Sequence, residues 1–158
     1  MKKTNLTELI IYVVSAELVG AVSALLSGGF SGFFEKYAEP PLLPPSWLFP
    51  VVWTILYAVM RLSAYMIRSS AEQGDSARKY ALTIYWAQLA VNFSWSIVFF
   101  RFEALWAAFG VIILLLGLIA AMILSFRRIN PVAAYINLPY LAWVIFASYL
   151  NLATAVIN

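Results

Sequence analysis

The side chains best suited to bind a ligand in this chain are aromatic rings that recur at helical spacing. Phe49, Trp53 and Tyr57 follow one another at intervals of four residues, so on an α-helix they share one face. Indole and phenol rings enclose flat apolar molecules by stacking, while their N–H and O–H groups orient the bound molecule. This stretch predicts one wall of an apolar binding site.

Two later stretches carry similar faces in which amides accompany the rings. Amides without partners are costly in hydrocarbon, so both faces should point inward. Either the rings fill a core that the amides join by hydrogen bonds, or the rings surround a ligand cavity in which a small alanine leaves room. The members are Gln88, Asn92, Trp95 and Phe99 on one stretch, and Tyr140, Trp143, Ala147 and Asn151 on the other.

The chain lacks the side chains that several classes of catalytic and metal-binding site require. The chain contains no cysteine and no histidine, which excludes disulfides and the usual zinc and haem-ligating sites. It also has no Gly-rich phosphate loop and no nucleophile with a recognisable base, so hydrolysis and phosphoryl transfer are not expected. We predict no metal and no required cofactor, and we expect a binding protein rather than an enzyme.

These faces belong to a chain whose composition is typical of a membrane protein. Of its 158 residues, 64% are hydrophobic and only 11% are charged, far from the balance of a soluble domain. Five apolar stretches are long enough to span a bilayer as helices. We therefore predict an all-α bundle of five transmembrane helices forming one domain over residues 1–158, with spans Leu9 to Leu26, Trp47 to Ile67, Tyr80 to Phe100, Ala104 to Phe126 and Val132 to Ile157.

The links between the spans predict the orientation of the bundle. Residues 27–46 form the longest link and are rich in glycine and proline, whereas 101–103 and 127–131 are tight turns. Most lysines and arginines fall at one end of the bundle, which predicts a bacterial cell membrane protein with a cytoplasmic N-terminus and an external C-terminus. The basic residues are scattered, so nucleic-acid binding is not expected. Pro139 should bend the last helix or open its hydrogen bonding.

The first two spans each contain an ionisable residue at depth. Glu17 and Arg61 are separated from the long link by similar lengths of helix, so their depths differ by only about 6 Å. An intramembrane ion pair is one interpretation, separate cavity-facing or snorkelling positions are a second, and a proton-coupling carboxylate is a third. The first span also resembles a signal peptide, although Glu17 interrupts its apolar run. Small residues at every fourth position from Ala16 to Gly28 suit close helix packing, within the bundle or with a second copy.

The sequence resembles the translocator protein family, also called tryptophan-rich sensory proteins or peripheral benzodiazepine receptors. The resemblance rests on the run from Pro44 to Tyr57, on residues 88–100, and on residues 138–147 with Pro139 and Trp143. Order, spacing and five-span layout agree over nearly the whole chain.

The resemblance implies a five-helix bundle, often a homodimer, whose cavity beneath the first loop binds porphyrins and other apolar molecules for transport or sensing. It also implies a possible light-dependent degradation of porphyrin that uses Trp53 and Trp143. A proton-coupled small-molecule exporter is a further alternative, based on Glu17. The ligand-binding residues assigned through the resemblance and the aromatic faces are Phe34, Pro44, Pro45, Phe49, Trp53, Tyr57, Gln88, Asn92, Trp95, Phe99, Trp143 and Ala147.

The chain departs from the family pattern in the long link and at its C-terminus. Leu42 and Leu43 occupy a part of the link in which relatives usually carry tryptophan, so we expect the link to contribute less ring stacking. No basic residue follows Tyr149, which leaves the proposed sterol motif incomplete. Poor sterol binding is the resulting expectation.

Overall fold

The computed structural model describes Phe33 and residues 36–70 and 75–158. The first predicted span, from Leu9 to Leu26, lies outside these residues, and so do Glu17 and Phe34. Within the described ranges the chain is helical and contains no strand. The helices are α1 (Leu48–Ser69), α2 (Asp75–Ser96), a π-helical turn (Ile97–Arg101), α3 (Leu105–Arg127), α4 (Pro131–Tyr135) and α5 (Leu138–Ile157).

Four of the predicted spans correspond to helices that are long and apolar enough to cross a membrane. Their most apolar windows have mean hydropathies between 1.2 and 2.9. The predicted ends agree within about two residues except at α2, which begins at Asp75 and includes the charged residues Arg78 and Lys79. Hydropathy alone places that helix too late, because its first turns lie beyond the apolar region. The described part of the chain is therefore a helical membrane bundle.

The end of α2 widens into a π-helical turn that the spacing analysis did not predict. The Phe102 N–H donates to the Ile97 carbonyl over 3.0 Å, a bond that spans five residues. A π turn rotates the following side chains relative to a regular α-helix. As a result the consecutive residues Phe99 and Phe100 are both buried.

The last predicted span is interrupted close to its proline. Asn130 caps α4 by accepting hydrogen bonds from the Val132 and Ala133 N–H groups, at 3.0 and 3.2 Å. The helix then breaks at Ile136 and Asn137, and Pro139 lies in the first turn of α5. Proline is tolerated there, because the first N–H groups of a helix have no intrahelical partner. The predicted opening is confirmed, but it lies just before Pro139.

The described helices pack side by side around an apolar core. α3 contacts both α2 and α5, while α1 contacts α2 and α4 and touches α5 only weakly. The core side chains have little or no exposure and include Met60, Ile112, Leu115, Ile119 and Met122. We call the end that carries residues 36–47, 102–104 and 158 the loop end of the bundle.

Candidate functional site

Aromatic rings from three helices meet around Trp53 of α1. Its ring centroid lies 5.7 Å from that of Tyr57, 6.5 Å from Trp95 of α2 and 6.4 Å from Tyr140 of α5. The three neighbouring rings are buried, whereas Trp53 is only half-buried. The sequence-predicted faces therefore do converge, and the rings contact one another.

A chain of hydrogen bonds joins the same three helices beside these rings. The Tyr57 hydroxyl donates to Asn92 Oδ1 over 3.0 Å, and Asn92 Nδ2 donates to the Tyr140 hydroxyl over 2.8 Å. The Tyr140 hydroxyl in turn donates to Gln88 Oε1 over 2.8 Å. Asn92, Tyr140 and Gln88 are at most 2% exposed. The amides predicted to face inward thus have partners inside the bundle, which favours the explanation that they join helices.

A second polar contact fixes the position of Trp95. Its Nε1 donates to Asn151 Oδ1 over 3.1 Å, and Asn151 Nδ2 donates to the Leu105 carbonyl over 2.9 Å. The ring itself stacks on Phe99, with centroids 5.4 Å apart and planes inclined by 21°. Trp95 is therefore held on both its polar and its apolar sides, so its ring forms a fixed wall of the cluster.

Trp143 lies at the edge of the cluster and has an unused donor. Its ring contacts Phe49 of α1 at 6.0 Å and Phe146 at 5.8 Å between centroids. Its indole N–H is buried and has no hydrogen-bond partner among the described residues. Buried donors without partners are rare. Ala147, one turn further along α5, is buried.

An apolar groove of about 450 Å³ runs between α1 and α5 beside Trp143. It is open on one side, and two residues of its walls, Ile55 and Ala142, are exposed. Its walls include Val52 and Ile55 of α1, and Pro139, Ala142, Trp143 and Phe146 of α5.

Residues 36–47 cover the loop end and are tied to distant parts of the chain. Lys36 forms a hydrogen-bonded ion pair with Glu103, whose carboxylate also accepts a bond from the Tyr37 hydroxyl over 2.9 Å. Tyr149 of α5 donates to the Pro41 carbonyl over 3.0 Å. The Ala38 N–H donates to the Asn158 side chain over 2.9 Å. Three separate contacts therefore hold this segment against the helices.

The contact between Lys36 and Glu103 shifts the pKa of both groups. The hydrogen bond from Lys36, followed by that from Tyr37, lowers the pKa of the Glu103 carboxyl below its usual value. The hydrogen bond to Glu103 also raises the pKa of the Lys36 ammonium. Both shifts favour the charged forms, so the contact is strongest where both groups are ionised.

The remaining predicted residues are placed less centrally or lie outside the described part. Pro44 is half-buried and Pro45 is exposed at the start of α1. Arg61 is buried, donates to the Tyr85 hydroxyl over 3.4 Å and lies 4.9 Å above the Trp86 ring. Its predicted ion pair with Glu17, like the role of Phe34, falls on residues that the structure does not describe.

Two residues of this site were not among the ligand-binding residues assigned from the sequence. Tyr140 links Asn92 to Gln88, and Glu103 holds the loop segment. The sequence did contain a pattern that points to Tyr140, since it lies on the same helical face as Trp143. No sequence pattern points to Glu103, because it is an acidic residue in a short link and its partners are more than 60 positions away.

Comparisons with known proteins agree with this architecture. The sequence profile of the TspO/MBR family matches residues 10–157. Protein CrtK of Rhodobacter capsulatus is 30% identical over 154 residues, covering 98% of this chain and 94% of the relative. A translocator protein of Ovis aries is 34% identical over 134 residues, and the alignment covers 78% of this chain and 79% of the relative.

A third relative has a similar level of identity. The tryptophan-rich protein TspO of Chlorobaculum tepidum is 33% identical over 128 residues, covering 81% of this chain and 80% of the relative. The profile match includes Trp53, Asn92 and Trp143, and each of these three alignments covers more than three quarters of the chain. The chain therefore belongs to the TspO/MBR family, whose members are integral membrane proteins.

Proposed function

We propose that this membrane protein binds a porphyrin or a similar flat apolar molecule against Trp53 and Trp143, for transport or sensing. The observation that carries the proposal is the half-buried Trp53 ring, which lies within 6.5 Å of three buried aromatic rings. The buried rings are fixed by hydrogen bonds and stacking, so the half-buried indoles are the surfaces still able to stack on a ligand.

The names of the relatives support the two biological roles. One relative is named a translocator protein and another a tryptophan-rich sensory protein. Transport and sensing both begin with an occupied site, so ligand binding is the first property to test. Assembly as a homodimer and residence in a bacterial cell membrane complete the proposal.

A porphyrin titration tests the site directly. Purified protein in lipid nanodiscs is titrated with protoporphyrin IX, and binding is followed through the absorbance of the porphyrin. The Trp53→Leu and Trp143→Leu double variant should bind about 5-fold to 150-fold more weakly, since each lost aromatic contact is worth about 0.5–1.5 kcal/mol. Trp106→Leu is the matched control, because Trp106 is 62% exposed on α3 and should leave the affinity unchanged.

The outcome of the titration is decisive for the assignment. Circular dichroism of each variant verifies that the helices remain folded. If the double variant binds protoporphyrin as tightly as the unmodified protein, the proposed site is wrong. Flux of protoporphyrin across proteoliposomes then separates a transporter, which moves it, from a sensor, which only binds it.

A further inference from the structure

The groove between α1 and α5 lies beside Trp143 and has exposed residues on its walls. Its walls are apolar, and Trp143 belongs both to the groove and to the ring contacts with Phe49. Val52 and Ile55 of α1 lie in the same turns as Trp53, and Ile55 is 57% exposed. A molecule dissolved in the hydrocarbon therefore meets this opening before it meets any polar group of the site.

At the loop end, the described part of the long link is held against the helices by side-chain contacts. The segment from Lys36 to Pro41 is tied to Glu103, to Asn158 and to Tyr149. These contacts come from two parts of the chain, the link that contains Glu103 and α5 with its C-terminal cap Asn158, so the segment cannot lift away without breaking several of them together. A ligand arriving from water at this end would have to break these contacts before it could bind.

Trp143 supplies the link between the groove and the interior. Its ring forms part of the groove wall, while its N–H is buried and lacks a partner among the described residues. A ligand that displaces the atoms covering this N–H gains a hydrogen bond that the empty protein does not make. The geometry points to a lateral entry route, in which a flat apolar ligand already dissolved in the bilayer reaches the site between α1 and α5. This inference rests on the proposed function and adds the route and the source of the ligand.

The route can be blocked by modifying a single cysteine introduced at Ala142. It is an exposed residue of α5 that lines the groove, and the chain contains no cysteine. Ala142→Cys can therefore be modified selectively, either with a methyl thiosulfonate that adds little volume or with its benzyl analogue, which fills the groove. Ala90→Cys, at an exposed position of α2, carries the same two adducts as the matched control.

Release of protoporphyrin IX measures the effect of each adduct. Loaded protein in nanodiscs is mixed with an excess of empty vesicles, and the loss of bound porphyrin gives the dissociation rate; a titration gives Kd. A blocked route slows entry and exit equally, so the benzyl adduct at Ala142→Cys should lower the dissociation rate at least about tenfold and leave Kd nearly unchanged. The methyl adduct and both adducts at Ala90→Cys should release porphyrin at the rate of the unmodified protein.

Three results overturn the lateral route while leaving the proposed binding function intact. One is equal release from the benzyl and methyl adducts at Ala142→Cys. Another is faster release with weaker binding, which would make the groove a wall of the site and not its entrance. Tyr149→Phe adds the third as an independent arm, because it frees the Pro41 carbonyl but keeps the ring; faster exchange in that variant would place the entrance at the loop end. If the unmodified protein shows no saturable porphyrin binding, the proposed function fails, and the route with it.

Discussion

Removing one hydroxyl group tests whether the buried amides join helices or serve a ligand. Tyr140→Phe keeps the aromatic ring that lies 6.4 Å from Trp53, so the packing of the cluster is preserved. It deletes the acceptor for Asn92 Nδ2 and the donor to Gln88 Oε1, both at 2.8 Å. The substitution therefore separates hydrogen bonding from ring contact.

The size of the effect follows from the two lost bonds. Tyr140 is fully buried, so water cannot replace the hydroxyl. Hydrogen bonds between helices inside membranes average about 0.6 kcal/mol and reach about 1.7 kcal/mol. Two of them predict a loss of about 1–3 kcal/mol in the free energy of unfolding. No cavity penalty is added, because the phenylalanine ring fills almost the same volume.

Reversible unfolding in mixed lipid and detergent micelles measures this loss. Tyr80→Phe is the control, since Tyr80 is 65% exposed on α2 and should change stability by less than about 0.5 kcal/mol. Adding Gln88→Leu to Tyr140→Phe should cost less than the sum of the two single changes, because both remove the same bond. A Tyr140→Phe variant as stable as Tyr80→Phe, or strict additivity with Gln88→Leu, would refute the helix-joining role.

Three further predictions concern the contact between Lys36, Tyr37 and Glu103, the α4 cap, and the space beside the aromatic rings. Hydrogen bonds from Lys36 and Tyr37 lower the pKa of the Glu103 carboxyl, so the contact should persist above the ordinary pKa of 4.5 and weaken as the pH falls below it. Amide hydrogen exchange of residues 36–43 should therefore become faster on acidification, and Glu103→Gln should remove that pH dependence. Asn130→Ala should lower the free energy of unfolding by about 1 kcal/mol, because two N–H groups of α4 lose their acceptor, whereas an unchanged unfolding curve would contradict the capping role. Ala147→Leu should weaken protoporphyrin binding in the nanodisc titration if the buried alanine leaves space for the ligand, and unchanged affinity would show that no ligand approaches it.

Helical spacing was sufficient to predict that four residues, in α2 and in the π-helical turn that follows it, face inward. Gln88, Asn92, Trp95 and Phe99 share a face by their intervals of four, three and four, and all four are buried. Hydropathy likewise located the four described spans. Both predictions succeed for the same reason: each depends on a local repeat, and a regular helix converts that repeat into a direction in space.

The partners of these residues could not be predicted in the same way. Spacing directs the Asn92 amide inward, but only the tertiary packing decides that it meets Tyr57 and Tyr140. The contact between Glu103 and Lys36 joins residues 67 positions apart, so no local pattern reports it. The π turn was missed because it changes the helical repeat itself, on which the spacing analysis depends.

The completed hydrogen bonds limit how this site can select a ligand. The amides on the predicted inward faces, Asn92 and Asn151, already bond to side chains or backbone within the bundle. A ligand that captured either amide would leave its former partner unsatisfied in hydrocarbon, which cancels most of the gain. The Trp143 N–H carries no such penalty, because it has no partner to lose among the described residues. Selection should therefore depend on the flat shape of the ligand and on one acceptor placed near Trp143, a requirement loose enough to admit several apolar ring systems.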